Sequence, residues 1–297
     1  MEQAAVVTGV SSGLGASIAQ RLLECGYRVY GTVRNAADLD RFEATGDGAK
    51  GHLLDVRDAD AVADFGSLVT SDLERLDCEL TVLINNAGIL AGGGVSKTPV
   101  DTFVEAMDVN FLGPIRLIQA FAPLLRSADN AAIVNVSSLA ASAVVSPQAP
   151  YAAAKSALET ASEALAQELD RDGVRVITVV LGVVDTPIHR KPVLGLDLGD
   201  EDILVAGLRL SAYVRSCLKS PMRPTAVGAA DAIVSLLQDP DAPTKVEIGE
   251  DTQGVLALRR QLGPEGWAAL WTLRTTPAEW AAEIGRAIGR TLPDPAV

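Results

Sequence analysis

The amino-acid sequence predicts an α/β fold, a doubly wound parallel sheet with helices on both faces, extended by a lid insertion and a helical C-terminal tail. Three observations predict it. Short apolar runs alternate with helical patterns from the first residues onward. The runs are continuous in Val, Ile and Leu, as in strands buried on both faces, and lack the polar alternation of a half-solvated sheet. The first run ends in a glycine-rich turn that opens a helix.

Ala4–Thr8 is the first expected strand, Leu14–Cys25 the first helix and Arg28–Val33 the second strand. His52–Val56, Leu80–Asn85, Ala131–Ser137 and Val174–Leu181 continue the pattern, and Lys245–Ile248 closes it. Helices are expected near 58–75, 98–126, 150–171, 201–219 and 225–238. Two parts break the alternation. Pro187–Pro221 follows the sixth strand as an insertion in which Ile203, Leu204, Leu210, Tyr213, Val214, Cys217 and Leu218 recur at helical spacing. Such a stripe often packs as core or interface, but its place beyond the carboxyl end of a strand favours a lid. The tail holds all three tryptophans, Trp267 and Trp271 one turn apart and Trp280 in a second helical stretch. It reads as a cap or a subunit contact. The expected organisation is one catalytic domain over 1–249, including a lid at 187–221, and a helical extension over 250–297.

The net charge of −13 over 297 residues argues against a nucleic-acid backbone or an anionic membrane as partner, since both need a basic footprint. Cys25, Cys78 and Cys217 are scattered, and the two histidines are His52 and His189. No disulfide framework or metal site is therefore expected, and the thiols read as reduced in a cytoplasm. Met1-Glu2-Gln3 shows no basic segment of a secretory signal, and the uncharged stretch Asn130–Ala154 is interrupted by polar residues and prolines, unlike a membrane span.

The turn Thr8-Gly9-Val10-Ser11-Ser12-Gly13-Leu14-Gly15 lets the backbone approach a pyrophosphate, with the N–H groups of the next helix facing its oxygens. At the end of the second strand, an NAD-selecting site places an acid for the ribose 2′-OH. No acid stands in Val29–Asn35, and Arg34 offers a guanidinium suited to a 2′-phosphate, the other reading being a solvated strand-end arginine. NADP is thus expected over NAD. Asp55 and Val56, at the end of the third strand, are placed to meet an adenine.

Tyr151 and Lys155 lie four apart on an expected helix and share one face. A free phenol has a pKa of ~10, and a neighbouring ammonium favours its ionised form, making Tyr151 a usable acid or base. Ser138, at the end of the fifth strand, is placed to bond the reacting oxygen. Pro114 lacks an N–H, so the carbonyl of Asn110 loses its helical partner and is available to a water that relays protons to Lys155. Leu90, Leu139, Val144, Val145 and the 203–218 stripe are the expected substrate wall, mostly apolar, with Arg190 and Lys191 available to an acidic tail.

With these residues in hand, the chain resembles the short-chain dehydrogenase/reductase family over residues 4 to 249. Thr8–Gly15, Asp55-Val56, Asn85-Asn86-Ala87-Gly88, Asn110, Ser138 and Tyr151-x-x-x-Lys155 carry the resemblance in order and spacing. It implies a Rossmann-type sheet, a nicotinamide dinucleotide, and carbonyl–alcohol interconversion through Asn110, Ser138, Tyr151 and Lys155. It also implies cofactor contacts from Asn86, Ala87, Gly88, Val184 and Thr186. Pairing through the helix at 98–126 and the one bearing Tyr151 implies a homodimer or homotetramer. Thr32-Val33-Arg34 resembles the NADP-preferring branch that includes hydroxysteroid and retinol dehydrogenases. Leu181-Gly182 departs from the family's Pro-Gly, which implies an altered loop rather than a lost site. A non-catalytic dinucleotide sensor is the alternative of another class, and intact Ser138, Tyr151 and Lys155 argue against it. A nucleotide-sugar epimerase would carry a larger substrate domain and different glycine spacing.

Overall fold

The computed structural model describes residues 2–190, 193–195, 201–220 and 224–292. Lys191 and Pro221, and with them part of the expected lid and the end of the tail, lie outside those residues; of Arg190 only the backbone is described. The strands are β1 (Glu2–Thr8), β2 (Arg28–Val33), β3 (Ala49–Leu53), β4 (Cys78–Asn85), β5 (Ala132–Ser138), β6 (Arg175–Leu181) and β7 (Lys245–Ile248). They form one parallel sheet in the order β3-β2-β1-β4-β5-β6-β7. The order reverses between β1 and β4, and at such a switch point the carboxyl ends of the strands leave a crevice for a ligand.

Helices cover both faces, as continuous apolar strands require. Against one face, α1 (Gly13–Glu24), α2 (Ala36–Glu43) and α8 (Ala226–Gln238) bury Ile18, Leu22, Phe42, Ile233 and Val234. Against the other, α3 (Ala59–Leu76), α5 (Gly113–Arg126) and α6 (Ala149–Leu169) bury Val62, Phe65, Val69, Leu117, Phe121, Leu125 and Leu169. Side-chain caps start several of these helices: Asn35 accepts from Asp38 N–H at 2.9 Å, Asp58 from Ala61 N–H at 3.0 Å and Thr225 from Gly228 N–H at 3.0 Å. A buried ladder runs from Asn85 to Asn135 (2.8 Å), Asn135 to Ser162 (2.8 Å) and Ser162 to the Leu158 carbonyl (2.6 Å). It ties β4, β5 and α6 together, so the strand that ends in Ser138 and the helix that carries Tyr151 keep a fixed relation.

Three local expectations are corrected. The third strand is Ala49–Leu53 rather than His52–Val56. Leu54 N–H makes the last bond to β2, and the chain then turns, with the Asp58 N–H bonded to the Asp55 carbonyl, so Asp55 and Val56 stand beyond the ladder. The helix α2 lies in a stretch where no element was expected. The long helix at 98–126 is two helices, α4 (Val100–Met107) and α5, joined by a π-helical turn over Asp108–Leu112 whose Gly113 N–H reaches back five residues to the Asp108 carbonyl. Such turns are a recognised way for a helix to deform at a functional site.

Beyond β6 lie α7 (Glu201–Lys219), α9 (Glu250–Leu270, kinked where Gly263 has φ 65°) and α10 (Pro277–Ala287). With the loop after β5 they form a third core containing Leu139, Val145, Tyr213, Val255, Trp267, Trp271, Trp280 and Ile284. The three indoles meet in sequence, Trp267 tilted against Trp271 and Trp271 edge-to-face with Trp280, at centroid distances of 5.6 and 5.7 Å. Buried Arg209 of α7 donates to the carbonyls of Leu270, Thr272 and Thr275, closing the end of α9 against the lid helix. The tail therefore packs as a cap on its own chain.

Candidate active site

A cleft of about 900 Å³ opens along the carboxyl edge of the sheet. At one end is the turn after β1. Gly9 and Gly13 hold φ of 75° and 60°, the left-handed region that glycine enters without strain. A Cβ on Gly15 would lie 2.3 Å from the Gly9 carbonyl oxygen, so no side chain fits there. Thr8 locks the turn to the strand-four loop: its Oγ1 accepts the N–H groups of Asn86 (3.0 Å) and Ala87 (2.9 Å), and Asn86 Nδ2 donates to the Thr8 carbonyl at 2.8 Å.

Every expected dinucleotide residue borders this cleft: Gly9, Ser11, Ser12, Gly13, Leu14, Gly15, Arg34, Asp55, Val56, Asn86, Ala87, Gly88, Val184 and Thr186, together with Tyr151 and Lys155. The cleft also has charged neighbours beyond those expected, Arg57 and Asp38 among them. Arg57 grips the Asp55 carboxylate through Nε and Nη2 (3.0 and 2.6 Å). Those bonds, with the Arg34 charge adding a smaller effect, hold Asp55 below the usual carboxylate range. Asp38 also faces the cleft, accepting from Asn35 Nδ2 and paired with Arg41, each at 2.7 Å. The acid absent from the end of β2 thus stands one helical turn later, already engaged with a cation. The cue for Arg57 is its place two residues after Asp55; the cue for Asp38 is the unnoticed helix that Asn35 caps.

Asn110, Ser138, Tyr151 and Lys155 come together at the centre of the cleft. The Asn110 side chain exchanges two bonds with Ile89, accepting its N–H at 3.0 Å and donating to its carbonyl at 3.1 Å. A Cβ built on Gly88 would lie 2.8 Å from Asn110 Oδ1 and 3.9 Å from Lys155 Nζ, so both side chains converge on that turn. Lys155 is buried, donates to the Val136 carbonyl at 2.7 Å, and stands 6.0 Å from the centre of the Tyr151 ring. Burial lowers its pKa to about 8, opposed by the charge of Glu159. Burial also pushes Tyr151 upward, and its hydrogen bond with Ser138 pulls the other way. The expected lowering of the phenol by Lys155 is not what this geometry produces, because the ammonium is given to Val136 and desolvation dominates.

Past these groups the cleft becomes apolar. Leu90, Leu139 and Val145 border it as expected, as do Leu210, Tyr213, Val214 and Leu218 of α7, while the tail adds Val255, Trp267, Trp271 and Ile284. Ile203 and Cys217 of the stripe are buried in packing instead. Val144 is corrected: it is 48% exposed and does not border the chamber, whereas its neighbours Ala143 and Val145 are buried and do. Its carbonyl accepts the Trp267 Nε1 hydrogen at 2.7 Å, which fixes the tail against this loop.

The family model described as short chain dehydrogenase matches residues 3–194. The chain belongs to that family. This short-chain dehydrogenase/reductase is an oxidoreductase acting on CH–OH groups, and the family binds a nicotinamide dinucleotide. It is 31% identical over 246 residues, 82% of its length, to a protein of Bacteroides thetaiotaomicron named 3-ketodihydrosphingosine reductase, covering 87% of that protein. It is 30% identical to an uncharacterized oxidoreductase of Staphylococcus saprophyticus, over 63% of this chain and 80% of that one. Among solved structures, a short-chain dehydrogenase from Streptomyces avermitilis aligns with a TM-score of 0.77 at 28% identity, covering 88% of this chain and 96% of its own. One from Burkholderia cenocepacia in complex with NADP aligns at 0.68, with the same identity and coverage. None of the helices among the described residues is long and apolar enough to cross a membrane.

Proposed function

We propose that this short-chain dehydrogenase is an NADP(H)-dependent enzyme that interconverts a ketone and a secondary alcohol on a bulky, largely hydrophobic small molecule of steroid-, retinoid- or polyketide-like character. The observation that carries the proposal is the continuity of the cleft. It joins a glycine cradle and a cationic end at Arg34 to Ser138, Tyr151 and Lys155, and then enters an apolar chamber closed by the tail. The cradle, with no room for a Cβ at Gly15 and two glycines at positive φ, fits a pyrophosphate held on the first turn of α1.

A dinucleotide held in this cleft would supply or accept the hydride at the reacting carbon. Ser138 Oγ orients the oxygen on that carbon. Tyr151 gives a proton to that oxygen in reduction and takes it back in oxidation. Lys155, 6.0 Å from the centre of the Tyr151 ring, would hold the ribose hydroxyls. The Asn110 main-chain carbonyl, in the π-helical turn before Pro114, would hold a water that relays protons by way of Lys155 to Tyr151, replacing the one given to the substrate oxygen in reduction. Val184 and Thr186 would hold the nicotinamide amide, and Arg34 would pair with the 2′-phosphate. The Burkholderia structure in complex with NADP supports the coenzyme, and the name of the Bacteroides relative supports a ketone as substrate. Val100, Val104 and Leu112 are exposed along α4 and the π-helical turn, which supports pairing of this face into a homodimer or homotetramer.

The test is absorbance at the nicotinamide band with NADPH or NADH and ketones of graded apolar bulk. The reading predicts NADPH oxidation that improves with apolar size. NADPH binding without turnover of any ketone or alcohol would leave a dinucleotide sensor and refute the catalytic role.

A further inference from the structure

Behind the chamber wall lies a buried acid that the chemistry above does not use. Asp251, 2% exposed, is the second residue of α9. Its Oδ2 accepts the Val183 N–H at 3.1 Å and the Tyr213 hydroxyl at 2.8 Å, with Cys217 Sγ at 3.9 Å. Val183 belongs to the loop that leaves β6 toward Val184 and Thr186, Tyr213 belongs to the lid helix α7, and both border the cleft. Asp251 itself does not. The approach is close: a Cβ on Gly182 would lie 2.4 Å from Asp251 Oδ2 and 2.5 Å from Thr252 Oγ1. The glycine of Leu181-Gly182 is therefore required by contact with the tail, and the loop backbone is pressed onto the first turn of α9.

A carboxylate at this point of a helix is stabilised by unpaired N–H groups and by the helix dipole, which makes the buried charge tolerable. One oxygen that accepts from two different elements also fixes their separation. Displacing either element breaks a hydrogen bond to a charged group, the stronger kind.

We propose that Asp251 is a positioning residue that sets the nicotinamide loop through Val183 and the lid helix through Tyr213, so that the C-terminal tail governs both cofactor grip and substrate closure. The proposal rests on the reading that Val184 and Thr186 hold the nicotinamide end. It separates two effects. Losing Asp251 frees loop and lid together, whereas losing the Tyr213 hydroxyl frees the lid alone.

The experiment measures NADPH dissociation constants by nicotinamide fluorescence, and KM for the best ketone of the panel, in wild type, Asp251→Ala, Asp251→Asn and Tyr213→Phe. Asp251→Ala is expected to raise the NADPH Kd roughly 10-fold, the scale of one lost hydrogen bond to a charged group. Tyr213→Phe is expected to leave that Kd within about twofold while raising the ketone KM by about three- to tenfold. A merely structural role would lower the melting temperature without this split. If Asp251→Ala does not fold, Asp251→Asn carries the test. With a cooperative melt retained, it is expected to raise the NADPH Kd by about threefold or more, because a neutral oxygen must serve both donors. An Asp251→Ala or Asp251→Asn protein that binds NADPH and ketone as wild type does overturns this proposal alone. A wild type that binds neither NADPH nor NADH overturns the cofactor reading and this proposal with it.

Discussion

Replacing Lys155 by Met should stabilise the protein at neutral pH while abolishing its activity. The ammonium is buried and its pKa falls from 10.5 to about 8, with desolvation as the main cause and the charge of Glu159 opposing it. That difference corresponds to about 3 kcal/mol of cost for the charged form. Met is of similar length and removes the cost, but it leaves the Val136 carbonyl without its 2.7 Å donor, a loss of about 1–2 kcal/mol. The net expectation is a gain of about 1–2 kcal/mol at pH 7. The sign depends on pH. Below the folded pKa both states carry the proton and the cost is felt in full. Between about 8 and 10.5 the folded state has lost the proton and the unfolded state keeps it, so wild-type stability rises with pH. Above that range the cost is gone, and Lys155→Met should be the less stable protein by about 1–2 kcal/mol. Urea unfolding of both proteins without nucleotide, at several pH values from 7 to 10.5, reads the difference directly, because all other titrating groups are common to both. A Lys155→Met protein less stable than wild type at pH 7, or a difference that does not change with pH, would refute the reasoning.

Arg34→Ala should weaken NADPH roughly 10-fold or more and leave NADH almost unchanged, with the wild-type preference shrinking as salt rises; an unchanged NADPH/NADH ratio in kcat/KM would assign the 2′-phosphate elsewhere. Ser138→Ala should cost on the order of 10²-fold in kcat, the scale of one lost transition-state donor, and a loss under about threefold would remove Ser138 from the chemistry. Trp280→Ala should cost about 3–5 kcal/mol in urea unfolding, since the indole is fully buried and packs edge-to-face with Trp271, and a cost below about 1 kcal/mol would mean that the tail does not share the core.

The parts of the fold that were legible are those in which one pattern decides the outcome. Continuous apolar runs fit strands buried on both faces, and β2 and β7 fall at their expected limits. The glycine turn was legible because positive φ at Gly9 and Gly13 and the close approach of the Gly9 carbonyl to Gly15 exclude other residues there. Where two signals compete, the reading slipped. Leu53, Leu54 and Val56 look like one strand, but the chain must turn at Asp55 to reach α3, so the ladder ends early and begins at Ala49. The helix α2 buries only Phe42, too thin a stripe to reveal itself by periodicity, and with it Asp38 escaped notice. The π-helical turn before Pro114 has no signature beyond the proline and glycine. The walls of the chamber depend on long-range packing: Trp267 and Val144 meet across 123 residues, and no local pattern joins them.

The central claim is that Tyr151 moves the proton while a nicotinamide dinucleotide lies in the cleft beside it. The direct measurement is NADPH-dependent ketone reduction by Tyr151→Phe, paired with the NADPH dissociation constant of the same protein. Phe keeps the ring packing and removes the transferable proton. The account predicts loss of turnover with a dissociation constant close to that of wild type. A Tyr151→Phe enzyme that retains more than about a tenth of the wild-type rate, where removal of a general acid should cost 10²–10⁴-fold, would contradict it.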